Sequence, residues 1–318
     1  MTVGVAVALY NGKKFIRCQL DCLRDQSQSP DKVVLCDDGS KDGTVEIVRE
    51  YISEYGLQAR WELVENSQNL GYARNFYKAM NLCATDLIFL CDQDDLWEKD
   101  KIKRMTKLME EHPEINVLSC RFGIIDANNV SMGGLLSEKQ KQTFTLKKIT
   151  QKHLLTEYRW PGMLMCVRGS FFQQLKPQIE QWKIAHDRIL AHCAAETESF
   201  WEFDYIGAYH RRHEDNTAKE EHRITKLLNL QRKLGDIADY NRLLKDILEA
   251  GLPLSLETLQ LIYRRLELSK MREQAIMDRR LSDVIRIYRR DRGEMLRKVS
   301  LFCDIWLICF GHYVRKGE

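Results

Sequence analysis

The sequence predicts an α/β protein: a doubly wound, mostly parallel sheet over residues 1–217, followed by a helical region over residues 218–318. Three observations carry this. Short apolar runs alternate with amphipathic stretches of helical length, the pattern of βαβ units. Two of those runs end abruptly in clustered aspartates, Asp37-Asp38 and Asp92-Gln93-Asp94-Asp95. After the first 217 residues the apolar positions fall at helical spacing among dense Arg and Glu, which suits a helical bundle or hairpin.

Taken in order, Val3 to Leu9 reads as a strand, and Tyr10-Asn11-Gly12 turns into a helix marked by Phe15, Leu20 and Leu23. Lys32 to Cys36 is a second strand. Asp42 can cap the next helix, Thr44 to Tyr55, whose inner face is Val45, Ile47, Val48 and Ile52. Arg60 to Val64 is a third strand, and Asn69-Leu70-Gly71 turns into a helix through Asn75, Phe76 and Met80. Leu87 to Cys91 has the length and composition of a buried parallel strand. Asn116 to Cys120 is another strand, which Phe122 to Ile125 can extend. Residues 135–150 are polar and basic, suiting either a lid or a solvated excursion. Trp201 to Ile206 is a late strand, and His210 to Thr217 is expected as a basic loop. Ile224 to Glu249 and Leu256 onward read as helices, separated by Gly251-Leu252-Pro253.

Composition excludes several classes. Hydrophobic content of 44% supports a normal core, 30% charged residues exclude a membrane-embedded body, and a net charge of +3 is too small to suggest nucleic acid. The ten cysteines form no CxxC pair or zinc-ligand cluster, and several sit in apolar runs as small hydrophobes. That suits a reducing cytoplasm, and no signal peptide is expected at the N-terminus.

In parallel α/β sheets, ligands bind at the C-terminal ends of the strands. Both aspartate clusters are therefore expected around one crevice. Close carboxylates repel and lose hydration, so a cation or donors must neutralise them. A hard divalent ion bridging carboxylate to diphosphate does so. The alternative is a polar turn into a capped helix, with Asp95 as the cap.

Four motifs occur in series: Val5-Ala6-Val7-Ala8-Leu9-Tyr10-Asn11, Asp37-Asp38-Gly39-Ser40-Lys41-Asp42-Gly43-Thr44, Asn69-Leu70-Gly71-Tyr72-Ala73-Arg74-Asn75, and Asp92-Gln93-Asp94-Asp95-Leu96-Trp97. Over roughly residues 3 to 110 their order and spacing resemble the family-2 inverting glycosyltransferases, which have the glycosyltransferase-A fold and use nucleotide-diphosphate sugars. The last motif resembles a bacterial branch containing many rhamnosyltransferases. A dehydrogenase of Rossmann type is disfavoured, because Tyr10-Asn11-Gly12-Lys13 supplies no GxGxxG. A nucleotidyltransferase is disfavoured because its Gly-rich basic loop is missing there.

The resemblance implies roles. Tyr10 and Asp38 would read a pyrimidine base, with Asp37 structural. Arg74 would face the nucleotide or diphosphate, and Asp92 the ribose or metal. Asp94 would hold Mg²⁺ or Mn²⁺, with His213 as a further ligand or diphosphate contact. Trp97 is expected to pack. Asp187, in Ile184-Ala185-His186-Asp187-Arg188, resembles the family's general base. The same residue could instead cap the helix. Trp160 could stack on an acceptor sugar or belong to the core, and His186 would orient the acceptor. Arg211 and His213 match a family loop that closes over the diphosphate. His210 departs from the usual tyrosine.

The implied activity is metal-dependent inverting transfer, favoured as L-rhamnose from dTDP-rhamnose, to a lipid-linked saccharide in cell-envelope polysaccharide synthesis. A UDP-sugar transferase and a catalytically silent scaffold are the alternatives. Val299 to Phe310 is too short to span a bilayer and contains Asp304. With the arginines before it, it suits a helix lying in the membrane interface at the cytoplasmic face. Packing on the catalytic domain or in a homodimer is the other reading.

Overall fold

A computed structural model describes residues 1–130, 142–156, 159–179, 184–212, 229–291 and 298–310. The chain divides into two compact units, Met1–Thr150 with Arg159–Asp215, and Gln151–Tyr158 with Asn216–Glu318. The division expected at residue 217 falls outside the described residues. Helix α5 (Gln151–Thr156), expected within the first domain, groups with the C-terminal helices.

The first unit opens as strand-helix repeats: β1 (Val3–Leu9), α1 (Ile16–Arg24), β2 (Lys32–Asp37), α2 (Thr44–Glu54), β3 (Trp61–Glu65), α3 (Tyr72–Cys83) and β4 (Leu87–Asp92). It continues with β5 (Leu96–Trp97), α4 (Lys101–Glu111), β6 (Val117–Ile125), β7 (Leu146–Lys148), β8 (Met165–Arg168), α6 (Gly169–Ile179), α7 (His186–Glu196) and β9 (Phe200–Arg211). The sheet order is β3-β2-β1-β4-β8-β6-β9-β5, with β7 on β9. β1 to β4 are mutually parallel. β8 runs antiparallel between β4 and β6.

Alternation along β1 decides which helix covers which face. Val3, Val5, Val7 and Leu9 are buried with Leu20 and Leu23 of α1 and Val48 of α2. Gly4 faces the other way, where an added Cβ would lie 3.0 Å from Cys83 at the end of α3. Bulky residues thus fill one layer, and a small residue lets α3 approach the other. Each large side chain buried there contributes about 1.5–3 kcal/mol.

Two boundaries differ from expectation. β9 runs through His210 and Arg211, which were expected in a loop. Residues 146–148 form β7, antiparallel to β9. Residues 135–141 of the expected lid lie outside the described part.

The second unit contains α8 (Leu230–Glu249), α9 (Leu256–Met277), α10 (Leu281–Asp291) and α11 (Lys298–Phe310). Asn229 and Ser255 cap α8 and α9, accepting from the backbone N–H of Arg232 and Thr258. Ile237, Leu268, Ile276, Val284, Ile287 and Ile308 form the core of this unit. Asp304 of α11 is fully buried. Its carboxylate accepts from Arg272 Nε at 2.6 Å and Nη2 at 2.9 Å, and from the Tyr288 hydroxyl at 3.1 Å. Lys233 lies 3.8 Å away. The expected interfacial helix therefore packs on helices of its own unit. Its outer face still presents Phe302, 66% exposed, with Cys309 and Phe310.

Candidate active site

The register of the parallel strands sets the crevice. Leu9 pairs with Asp37 and Ala8 with Asp92, so both acidic clusters leave the sheet level with the end of β1.

Asp37 is buried and structural, as expected. It accepts from the backbone N–H of Gly39 and Ser40 at 3.0 and 2.9 Å. Asp42 accepts from Thr44 N at 3.1 Å and Lys13 N at 2.9 Å, tying the turn after β1 to the start of α2. These bonds outweigh partial burial and hold its pKa below the ordinary value. The residue at the N-cap position itself is Gly43, left-handed at φ 95°.

Asp38, expected to read a base, is 3% exposed. Its carboxylate accepts from Asn66 Nδ2 at 2.9 Å, Leu70 N at 2.7 Å and Gly71 N at 2.8 Å. That occupies three of about four acceptor positions. Asp38 shapes the crevice by fixing the turn that launches α3, and does not present a free carboxylate. Tyr10 does stand open, 52% exposed. Arg74 is exposed in the first turn of α3, with no ion pair among the described residues.

The Asp92–Trp97 turn is held from three sides. The Gln93 side chain accepts from Tyr10 N at 2.9 Å and donates to Tyr10 O at 2.8 Å. Gly12 is required there, since a Cβ would fall 2.3 Å from Gln93 Oε1. Asp95 Oδ1 accepts from Arg211 N and His210 Nδ1, each at 3.0 Å. This replaces the expected cap role, because α4 begins after Asp100. Trp97 is buried, as expected, with Lys101 Nζ 3.5 Å from its ring centroid.

Arg211, expected on a diphosphate, is 1% exposed. Its Nε donates to Asp94 O at 2.7 Å, and its Nη1 donates to the Asn129 side chain. The guanidinium lies 4.7 Å from the Phe15 ring centroid. It is a buried brace behind the aspartate turn. His213 lies outside the described residues.

Electrostatics mark the crevice as acidic. Burial first, then the charges of Asp95 and Asp94, push the Asp92 carboxyl well above the usual carboxylate range. Asp187 adds to this shift and His210 opposes it. Burial also works against the His210 imidazolium, but its bond to Asp95 and the charges of Asp95, Asp92 and Asp94 hold its pKa above the ordinary value. Asp95 Oδ2 is buried with no hydrogen-bond partner among the described residues. A buried oxygen without a hydrogen-bond partner among the described residues, beside two further carboxylates, is a donor set that fits a hard cation. Among the described residues no three His, Cys, Asp or Glu side chains form a metal cage. Asp92 and Asp94 would leave the remaining positions to water and phosphate oxygens.

Asp187 is half-buried in the first turn of α7. The N-cap of α7 is Ala185, so Asp187 is not its cap, and its Oδ1 accepts from Arg188 N at 2.8 Å. His186, expected to orient an acceptor, is instead buried and stacked 4.0 Å from the Phe76 ring. Burial lowers its pKa against the pull of Asp187. Gly162 permits this packing, because a Cβ would sit 2.7 Å from His186 Nε2. Trp160, the other expected acceptor contact, is 2% exposed and donates to Glu202 at 2.6 Å. It is a core residue. Sequence reasoning missed the Gln93 clamp and Tyr72, whose exposed ring stands beside His186. Only the placement of Tyr72 directly after a turn glycine hinted at it.

The mostly parallel sheet with acidic strand ends and flanking helices is a glycosyltransferase-A type fold. The model of the family described as glycosyl transferase family 2 matches residues 4–171, and the chain belongs to that family. It is 32% identical over 113 residues to the amylovoran biosynthesis glycosyltransferase AmsB of Erwinia amylovora, covering 35% of this chain and 36% of that one. It is 27% identical over 137 residues to the putative teichuronic acid biosynthesis glycosyltransferase TuaG of Bacillus subtilis, covering 43% and 51%. The chain spans roughly a third to a little over half the length of the curated relatives it matches. The fold resembles S. aureus TarS in complex with UDP-GlcNAc, with a TM-score of 0.56 at 18% identity, covering 99% of this chain and 87% of that one. It also resembles the mannosyltransferase PcManGT of Pyrobaculum calidifontis in complex with GDP-Man and Mn²⁺, with a TM-score of 0.51 at 19% identity, covering 97% and 87%.

Proposed function

We propose that this chain is a divalent-metal-dependent inverting glycosyltransferase. It moves a sugar from a nucleotide diphosphate to a hydroxyl of a saccharide acceptor in cell-envelope polysaccharide synthesis. The observation that carries this reading is the pairing of a crowded, buried acidic strand end with Asp187, a carboxylate outside that cluster whose charge still reaches Asp92. Two carboxylate sites that divide donor from acceptor are what inverting transfer requires.

Tyr10 offers its face to the base, and Arg74 a fixed cation to the phosphates. Asp92 and Asp94 would hold Mg²⁺ or Mn²⁺, which supplies charge neutralisation for the departing diphosphate. Asp187 accepts the acceptor hydroxyl proton as that oxygen attacks the anomeric carbon. The bond to the diphosphate breaks on the opposite face, which inverts the centre. dTDP-rhamnose is the favoured donor on the form of the Asp92–Trp97 motif, with a UDP-sugar as the alternative. A lipid-linked acceptor would be met at the cytoplasmic face of the plasma membrane, with the exposed Phe302 and Phe310 of α11 as the peripheral contact. No helix among the described residues is long and apolar enough to cross a membrane.

Thermal stabilisation by dTDP-, UDP- and GDP-sugars, with Mn²⁺ or with chelator, tests the reading. One nucleotide class should stabilise the chain more with metal, and Asp94→Ala should remove most of that gain. Equal stabilisation with chelator would overturn the metal assignment. No stabilisation by any donor would favour a silent scaffold.

A further inference from the structure

The two residues expected to receive the acceptor, Trp160 and His186, are both buried. Tyr72 is not. It is 59% exposed, at the first residue of α3. Its backbone is fixed from below: Gly71 stands at φ 80°, and the N–H groups of Leu70 and Gly71 donate to Asp38. Its ring is fixed from one side. The His186 ring meets it edge-on, with centroids 6.2 Å apart, and is itself stacked on Phe76 and edge-on to Tyr77. The outer face stays open. Asp187, the next residue after His186, is close enough that its charge adds to burial in raising the Tyr72 phenol pKa.

We infer that Tyr72 is the acceptor platform: the pyranose ring carrying the attacking hydroxyl lies on the open face of this tyrosine, with that hydroxyl directed at Asp187. The inference rests on the assignment of Asp187 as base. A pyranose has one face of C–H bonds and a rim of hydroxyls. An aromatic ring with a polar tip matches both, presenting apolar area to the C–H face and a phenol to the rim. The platform is rigid, because its backbone and one ring edge are already held, so little side-chain freedom is lost on binding. Tyr10 stands at the end of β1, on the donor side, and Tyr72 at the start of α3, beside the base.

The experiment uses the full chain, the stabilising nucleotide sugar, Mn²⁺ and a panel of octyl hexosides as acceptor probes. Nucleotide release without acceptor is followed in parallel. Tyr72→Ala should raise KM for the hexoside roughly tenfold, with kcat little changed, the pattern expected when ground-state binding is removed. Donor KM and acceptor-free nucleotide release should stay at wild-type values. Tyr72→Phe should keep most of the acceptor affinity. An unchanged hexoside KM in Tyr72→Ala, or an equal rise in donor KM, would overturn the inference. If no hexoside is turned over, saturation-transfer NMR with the same hexosides and bound nucleotide decides. A hexoside signal present in the wild type and absent in Tyr72→Ala supports the platform. A signal that persists in the variant, or that the wild type also lacks, refutes it. Failure of donor binding itself would instead refute the transferase reading.

Discussion

Two buried aspartates set the halves of this molecule against each other. Asp304, in the helical unit, is fully buried and met by Arg272 through two bonds, by Tyr288 and by nearby Lys233. Asp95, in the sheet unit, is also buried, but one of its oxygens has no partner among the described residues, and Asp92 and Asp94 crowd the same turn. A closed ionic network holds helices in one register, whereas one with an unsatisfied oxygen leaves a group that a ligand can satisfy. Burial therefore does not separate structural from functional carboxylates. The completeness of the partner set does.

The largest expected effect falls on the open site. Asp187→Asn keeps the shape of the side chain and removes the proton acceptor. Turnover should fall roughly 10²–10⁴-fold, while nucleotide affinity and melting temperature stay near wild type. Near-normal transfer by this variant would move the base elsewhere.

The next effect probes the contrast directly. Asp304→Ala leaves Arg272 buried and unpaired, at a cost of about 3–5 kcal/mol, read as a lower calorimetric transition. Asp95→Asn should cost less, about 1–3 kcal/mol, because it can still accept from Arg211 N and sheds one charge beside Asp92 and Asp94, although its new buried N–H group meets no acceptor among the described residues. Equal destabilisation by the two variants would break the comparison. Deleting residues from 298 onward is a poor test of membrane contact for the same reason, since it also removes Asp304. Phe302→Glu leaves that network intact, and loss of liposome co-sedimentation in that variant would locate the contact.

A pH-dependent effect concerns α7. Burial lowers the pKa of His192 to about 3 and also lowers that of His186. Both rings stay neutral in the folded chain, while the unfolded chain takes up protons below about 6.5. Stability should therefore fall as pH drops from there, by up to about 1.4 kcal/mol per pH unit for each ring. For His192 the loss continues to about pH 3. Denaturant melts from pH 7 to 4 on wild type and His192→Gln check this. An identical slope in both would show that His192 is not the source.

Much of the sheet unit was legible because its signals are local. A short apolar run rich in β-branched residues and bounded by turn residues reads as a buried strand, and β1 occupies the expected Val3–Leu9. The aspartates at the ends of β2 and β4 were legible as one site because parallel connectivity places strand ends of like polarity together. Trp97 also packs in the core, as expected.

By itself, then, the amino-acid sequence determined the order of strands and helices, the acidic edge of the sheet and the family. Each of these depends on periodicity or on residues a few positions apart. Only the tertiary structure decided which polar groups are already satisfied. Asp38 meets Leu70 and Gly71, Arg211 meets Asp94, Trp160 meets Glu202, and Asp304 meets Arg272, each across 32 or more residues of chain. A side chain's availability for chemistry is what its distant partners leave over, and partners at that separation leave no pattern in the local sequence. The physical reason is that desolvation and hydrogen bonding are settled by three-dimensional neighbours. That is why Asp38, Arg211, Trp160 and His186 read as ligand contacts in one dimension and stand as supports in three, while Tyr72 remains open near Asp187.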